Sequence, residues 1–240
     1  GVVTYRDLDD VEAMLAAAER GTRAVVIGGG LLGLEAAAGL QARGMEVAVV
    51  HLSPTLMERQ LDGAAGFLLG EALNARGIEV ITSATTKAIC GDTRVSGVEL
   101  DDGRVLPADI VVLAVGIRPN VSLAAACGLE VARGIVVGDD MRTSDPAIFA
   151  VGECAEHRGV CYGLVAPLYE MARVIAAQLR GEAAAYTGSL TSTKLKVTGI
   201  DVYSAGDFAD GEAREEIVLR DAARRTYRRL TIECECIVGV

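Results

Sequence analysis

The sequence predicts an α/β protein built on a parallel sheet, with a smaller antiparallel part toward its end. Three observations carry that expectation. Short apolar runs alternate with helix-patterned stretches as far as about residue 143. A glycine-rich turn joins one such run to the helix after it. From about residue 191 the texture changes to an alternation of apolar and polar residues.

Taken in order, "RAVVI" (23–27) is a short strand and "LLGLEAAAGLQARG" (31–44) a helix closed by Gly44. "EVAVV" (46–50) is a second strand, and such a βαβ unit places its strands parallel. Asp62 is the expected cap of a helix whose apolar positions are Ala64, Phe67, Leu68, Ala72 and Ala75, with Gly77 ending it before the strand "IEVI". "TKAIC", "RVSGVEL" and "GRVLPAD" then read as an antiparallel crossover around Gly91, Asp92, Asp102 and Gly103, before "DIVVLAV" returns to the sheet. In region 144–190, "PAIFAVGE" is expected to be a strand, and a helix beyond Pro167 to bury Leu168, Met171, Ala172, Ile175 and Leu179. Region 191–240 is expected to be antiparallel sheet, stopping at "IECECIVGV" in mid-hairpin.

Composition narrows the function classes. A chain that is 51% hydrophobic and 23% charged can bury a sizeable core. A net charge of −10 argues against nucleic acid as a partner, since phosphate contacts need clustered Lys and Arg. No apolar stretch reaches the ~20 residues of a bilayer span, and no signal peptide is visible, so a cytoplasmic chain is expected. The first residue is Gly1 rather than Met, which suggests a fragment. Cysteines at 90, 127, 154, 161, 234 and 236 form no CxxC pair and no metal-ligand spacing, so free thiols and no metal site are expected. Cys234 and Cys236 are expected on one face of a strand.

Gly28, Gly30 and Gly33 satisfy GxGxxG between a strand and a helix, with a second strand at the spacing of a dinucleotide-binding, Rossmann-like unit. Gly28 suits the tight turn, Gly30 the close approach of a pyrophosphate, and Gly33 the packing of helix on strand. The helix N-terminus adds unpaired N–H groups and a partial positive charge. The carboxylate expected at the end of the second strand, to hold the adenosine ribose, is replaced by His51, with Ser53 close by and Arg59 further along. His51 suits a ribose hydroxyl, a 2′-phosphate helped by Arg59, or a plain surface histidine, so the choice between NAD and NADP stays open.

"DIVVLAVGIRPN" and "TSDPAIFAVGECAEHRG" resemble signature segments of the two-dinucleotide flavoprotein family of pyridine nucleotide-dependent reductases. "GGGLLGLEAAAGLQARGMEVAVVHLSPTLMERQLD" and "CYGLVAPLYEMA" narrow the resemblance to the FAD/NAD(P)H-binding part of the assimilatory NAD(P)H nitrite reductase large subunit. It covers nearly the whole chain. It implies an NAD(P)H-binding domain over 1–143, the returning segment of an FAD-binding domain over 144–190, and the start of an α+β C-terminal domain over 191–240. The other half of the FAD domain and the downstream redox domains lie outside this chain.

The same resemblance implies roles residue by residue. Gly28, Gly30 and Gly33 become the NAD(P)H pyrophosphate loop, with Leu31 and Leu32 supplying backbone N–H groups. Glu35 approaches the nicotinamide carboxamide and is the candidate catalytic residue, although an ordinary helix-start carboxylate fits as well. Val115 and Gly116 form the loop under the nicotinamide. Gly152 and Glu153 stand where the family commonly has Gly-Asp, whose carboxylate binds the flavin ribityl chain. Val165 and Ala166 present N–H groups to the flavin ring edge. The reaction implied is hydride transfer from NAD(P)H to FAD, electrons then passing to nitrite through iron–sulfur and sirohaem centres elsewhere in the enzyme. A rubredoxin or ferredoxin reductase, or a dinucleotide-binding module without turnover, are the alternatives. A homo-oligomer is compatible with the sequence.

Overall fold

The apolar runs form strands because each is buried on both faces, and the chain between them is long enough to cross over in helices. The fold comes from a computed structural model that describes residues 1–240 apart from 210, 212 and 222. In chain order it begins β1 (Val2–Thr4), α1 (Leu8–Ala18), β2 (Arg23–Ile27), α2 (Leu31–Gln41), β3 (Glu46–Val50), α3 (Gly63–Asn74) and β4 (Ile78–Ile81). Next come β5 (Thr86–Gly91), β6 (Val95–Leu100), β7 (Val105–Pro107) and β8 (Ile110–Leu113). Strands β1-β8-β2-β3-β4 form one sheet whose neighbours all pair in parallel. The expected crossover is the antiparallel sheet β5-β6-β7.

Alternate residues of the parallel strands serve two cores. Ala24, Val26, Val47, Val49, Ile110 and Val112 pack with Met14 of α1, Leu34, Ala37 and Leu40 of α2, and Leu69 and Leu73 of α3. Val25, Ala48, Val50, Ile81 and Val111 pack instead with Val98 and Leu100 of the antiparallel sheet. Helices therefore cover one face of the parallel sheet and strands the other. Neither β1 nor α1 is marked in the sequence by a long apolar run, yet α1 is held by a capping box in which Asp7 and Asp10 exchange hydrogen bonds with each other's backbone.

Asp62 caps α3 as expected, accepting from the Ala65 N–H at 2.8 Å. The buried side of α3 is not the expected stripe. It is Gly66, Leu69, Gly70 and Leu73, while Phe67 is 60% exposed. The reason is steric, because a Cβ at Gly66 would stand 2.7 Å from the Leu56 carbonyl oxygen. Two glycines bring this helix in closer than an aliphatic stripe would allow.

Residues 117–191 form a second compact unit: α4 (Ser122–Ala126), β9 (Ile135–Val137), β10 (Ala155–His157) and α5 (Val165–Leu179). Its core gathers Val137 and Met141 with Ala150, Ala155, Met171, Val174 and Tyr186. Residues 117–143 therefore fold with residues 144–191, so this unit begins before the border at 143 suggested by the pattern. "PAIFAVGE" is not a strand. Phe149 makes an isolated bridge to Arg142, and the left-handed turn at Gly152 (φ +107°) ends any extended run before β10. The α5 stripe is Pro167, Met171 and Val174, flanked by Leu168 and Ile175; Ala172 and Leu179 face outward.

Residues 192–240 belong to the same compact unit as residues 1–116. They hold the antiparallel pair β11 (Ser192–Lys194) and β12 (Tyr203–Ala205), and the antiparallel sheet β13 (Arg214–Asp221), β14 (Thr226–Glu233) and β15 (Cys236–Gly239). Cys234 and Cys236 do not share a strand face, because Cys234 and Glu235 form the two-residue turn between β14 and β15. Both have positive φ (49° and 62°), as a primed hairpin turn requires.

Glycine substitutions on α2 and α3 test this packing with opposite signs. Gly39→Ala, at an α2 position where the new methyl meets nothing within 4 Å, is expected to raise stability by about 0.5–1 kcal/mol in urea melts. Gly66→Ala is expected to lower it by about 1–3 kcal/mol; effects of equal sign would contradict the contact at Leu56.

Asp139 makes stability depend on pH. Arg158 foremost, then His157, hold its carboxyl down at about 2, through bonds of 2.7–3.0 Å from Arg158 and 2.8 Å from His157 Nε2. A depressed carboxyl contributes stability that is present above its unfolded value near 3.8 and lost as pH falls through the folded one. The thermal advantage of the wild type over Asp139→Asn is therefore expected to be constant above about pH 5 and to shrink between about pH 5 and 2.

Candidate functional site

The carboxyl ends of β2, β3 and β8 lie side by side, and the loops that leave them make the site. Gly28 continues β2 by donating to Val50 O at 2.8 Å, then turns at φ +116°. A Cβ there would sit 2.2 Å from Ala114 O, just past β8. At Gly33 a Cβ would sit 1.9 Å from Gly28 O, so α2 rests directly on the turn. Gly30 is the N-cap of α2, has no side-chain cap, and has nothing within 4 Å of where a Cβ would stand. Its surface is open. Leu31 and Leu32 come next as the first helical residues, where N–H groups lack intrahelical acceptors.

His51 lies just past β3 and is buried at 8% exposure, which removes the surface reading. Its Nδ1 accepts the Gly29 N–H at 3.0 Å, and its Nε2 lies 3.0 Å from Glu58 Oε2. Both ring nitrogens are engaged, so the imidazole is turned into the protein and is not free for a ribose or a 2′-phosphate. That corrects the direct cofactor contact expected of His51: the ring braces the loop. Ser53 Oγ donates to the other oxygen of Glu58 at 3.0 Å. Burial alone would raise the Glu58 carboxyl, but its own backbone N–H, Ser53 and His51 outweigh that and lower it. Sequence reading missed Glu58, which lies seven residues beyond the strand-end position. Its signal is a carboxylate placed close enough to accept from a buried imidazole.

Val115 and Gly116 leave β8 next to this turn, with Val115 71% exposed and Gly116 at φ +97°. Glu35, half-buried on α2, accepts the Lys196 N–H through Oε1 at 3.2 Å. Its carboxylate ties α2 to the segment after β11. In the other unit, Gly152 turns the chain into half-buried Glu153, and α5 opens at Val165 and Ala166 with Leu164 as an N-cap lacking a side-chain bond. A cavity of about 710 Å³ lies elsewhere, between α3 and the C-terminal strands, lined by Leu68, Leu69, Tyr203, Tyr227 and Leu230. It contains none of the glycine-loop residues.

The model of the pyridine nucleotide-disulphide oxidoreductase family matches residues 1–181, and that of the rubredoxin NAD+ reductase C-terminal domain matches residues 192–240. The chain belongs to the pyridine nucleotide-disulphide oxidoreductase family. It is 51% identical over its whole length to a nitrite reductase [NAD(P)H] of Bacillus subtilis, of which it spans 30%. It is 43% identical to the assimilatory nitrate reductase electron transfer subunit of the same organism, of which it spans 31%. Among solved structures, the ferredoxin reductase for the CYP199A2 system of Rhodopseudomonas palustris matches 99% of this chain and 60% of its own, with a TM-score of 0.89 and 32% identity.

Members of the pyridine nucleotide-disulphide oxidoreductase family are oxidoreductases, and membership implies NAD(P)H and FAD. The residues present fit both. The Gly28–Gly33 cradle leaves no room for a Cβ at two of its positions and open space at the third, as a bound pyrophosphate needs. In the other unit, the turn at Gly152 leads into a carboxylate and α5 starts without a side-chain cap, which are groups of the kind a flavin binds. Among the described residues, no group of three or more His, Cys, Asp and Glu is gathered as for a metal ion, and no helix is long and apolar enough to cross a membrane.

His51→Ala is expected to leave the Gly29 N–H without its acceptor, costing about 1–3 kcal/mol in thermal unfolding. Hydrogen exchange at Gly29 is expected to speed up with it. An unchanged exchange rate would mean that the ring does not hold the loop.

Proposed function

We propose that this chain supplies the NAD(P)H-binding part, and half of the FAD cradle, of a flavoprotein reductase that delivers electrons to nitrite. The observation that carries the reading is the sterically closed turn at Gly28 and Gly33 beside the open face of Gly30. In this reading the N–H groups of Gly30, Leu31 and Leu32 bind the pyrophosphate, helped by the positive end of α2. Val115 and Gly116 floor the nicotinamide, and Glu35 positions its carboxamide through the oxygen not used by Lys196. Gly152 and Glu153 hold the ribityl chain, and Val165 and Ala166 offer N–H groups to the flavin edge. The bound pair supplies hydride transfer from nicotinamide to flavin, and no side chain here is needed as a general acid or base.

We assign residues 1–116 to the NAD(P)H domain, 117–191 to the returning FAD segment and 192–240 to the C-terminal domain. Electrons then leave for iron–sulfur and sirohaem centres outside this chain. The relatives' names, nitrite reductase and assimilatory nitrate reductase subunit, support this acceptor. Six free thiols suit a reducing cytoplasm. The second reading is a rubredoxin or ferredoxin reductase, favoured by the match over 192–240 and by the R. palustris structure.

Gly30→Val is the decisive variant, because Gly30 has ordinary φ (−85°) and empty space around it. The expected result is an intact fold that loses no more than about 1 kcal/mol at the N-cap, and a dissociation constant for NADH or NADPH raised at least about tenfold by calorimetric titration. Unaltered affinity would overturn the dinucleotide reading. In the whole enzyme, NADH oxidation that depends on nitrite supports the first acceptor, and oxidation that depends on rubredoxin supports the second.

A further inference from the structure

In this kind of βαβ unit a carboxylate at the end of the second strand usually holds the adenosine ribose. Here that position is His51, and its ring is committed inward. Because Nδ1 accepts the Gly29 N–H, the ring proton sits on Nε2 and is donated to Glu58 at 3.0 Å. One imidazole thus spans from the pyrophosphate loop to a carboxylate that comes from seven residues further along the chain. The second donor, Ser53 Oγ at 3.0 Å, fixes the other carboxylate oxygen.

We propose that Glu58 selects the coenzyme, accepting an adenosine ribose hydroxyl of NADH and repelling the 2′-phosphate of NADPH. The proposal rests on the reading of the glycine loop as a dinucleotide site. His51, Ser53 and the Glu58 backbone N–H take three of the carboxylate's roughly four acceptor positions, so one is left for a ribose hydroxyl. The Glu58 side chain is 42% exposed, so a ligand can reach it. A 2′-phosphate carries roughly −1.5 to −2 charge and would meet this anion at short range. Arg59 is the neighbouring group that would favour the phosphate; both residues are exposed, but the Glu58 carboxylate is held by side-chain donors from His51 and Ser53.

The test is calorimetric titration of the chain, and of Glu58→Gln, Ser53→Ala and Arg59→Gln, with NADH and with NADPH, each variant checked by its thermal midpoint. The expected wild-type preference for NADH is at least about tenfold, falling to within about threefold in Glu58→Gln and unchanged in Arg59→Gln. Ser53→Ala, which leaves Glu58 in place but releases one oxygen, is expected to reduce the preference partway. A wild type that prefers NADPH, or a preference that survives Glu58→Gln, overturns the proposal. If neither nucleotide binds the folded wild type, the dinucleotide reading fails first and this inference falls with it.

Discussion

The contact on which the rest of this structure depends is the seating of α2 on the turn after β2. At Gly33 even one methyl group would be placed 1.9 Å from the Gly28 carbonyl oxygen. That same methyl would lie 3.3 Å from the Ala114 side chain, so a helix, a turn and the end of β8 meet with almost nothing between them. Geometry alone then dictates two features. The first turn of α2 stays uncovered at Gly30, and the chain leaving β8 must pass beside it through Val115 and Gly116. An uncovered helix start and a neighbouring loop past β8 are thus products of one close approach.

The rest of the unit is organised to keep that approach in register. Gly29 donates to His51 and accepts from Met57, which fastens the turn to the segment after β3. Leu56, buried in that segment, is met by Gly66 of α3. The helices that frame the loop also hold residues 192–240. Glu35 accepts from Lys196, Arg76 donates to the carbonyls of Thr198 and Gly199, and Asp62 receives both Tyr227 and Arg229. Burial first, then the Asp62 carboxylate, pushes the Tyr227 hydroxyl up to about 12, so it remains a donor to the cap of α3. Asp62 therefore both starts that helix and fastens the C-terminal sheet to it.

These relations explain what could be read from the sequence. The parallel strands were legible because burial on both faces writes a continuous apolar run, and the glycine loop was legible because its steric demands admit few residue types. The packed face of α3 was not, since glycines carry no hydropathy signal and the larger apolar residues lie off the contact. "PAIFAVGE" has the composition of a strand, but the positive φ of Gly152 decides otherwise. His51 was marked by its position, yet its role depends on Glu58 and Gly29, and pairings across 7 and 22 residues leave no periodic trace. The thiols at 234 and 236 were misread because a two-residue turn without Gly or Asn looks like continuous strand.

Charge finally limits how such a site can work. The chain carries a net charge of −10, and residues 24–40 contain no Lys or Arg, so an anionic coenzyme is not drawn in by the field of the whole protein. Beyond a Debye length of about 8 Å at physiological ionic strength, that field is largely screened in any case. In the reading proposed for the glycine loop, attraction therefore comes from groups in contact with the phosphates, among them the N–H groups and the positive end of α2, a helix with no acidic residue in its first turn. A backbone site of this kind senses pyrophosphate but not what is attached to it. On the proposal made above, discrimination between coenzymes falls to side chains beyond the end of β3, where a buried histidine and a serine hold a carboxylate.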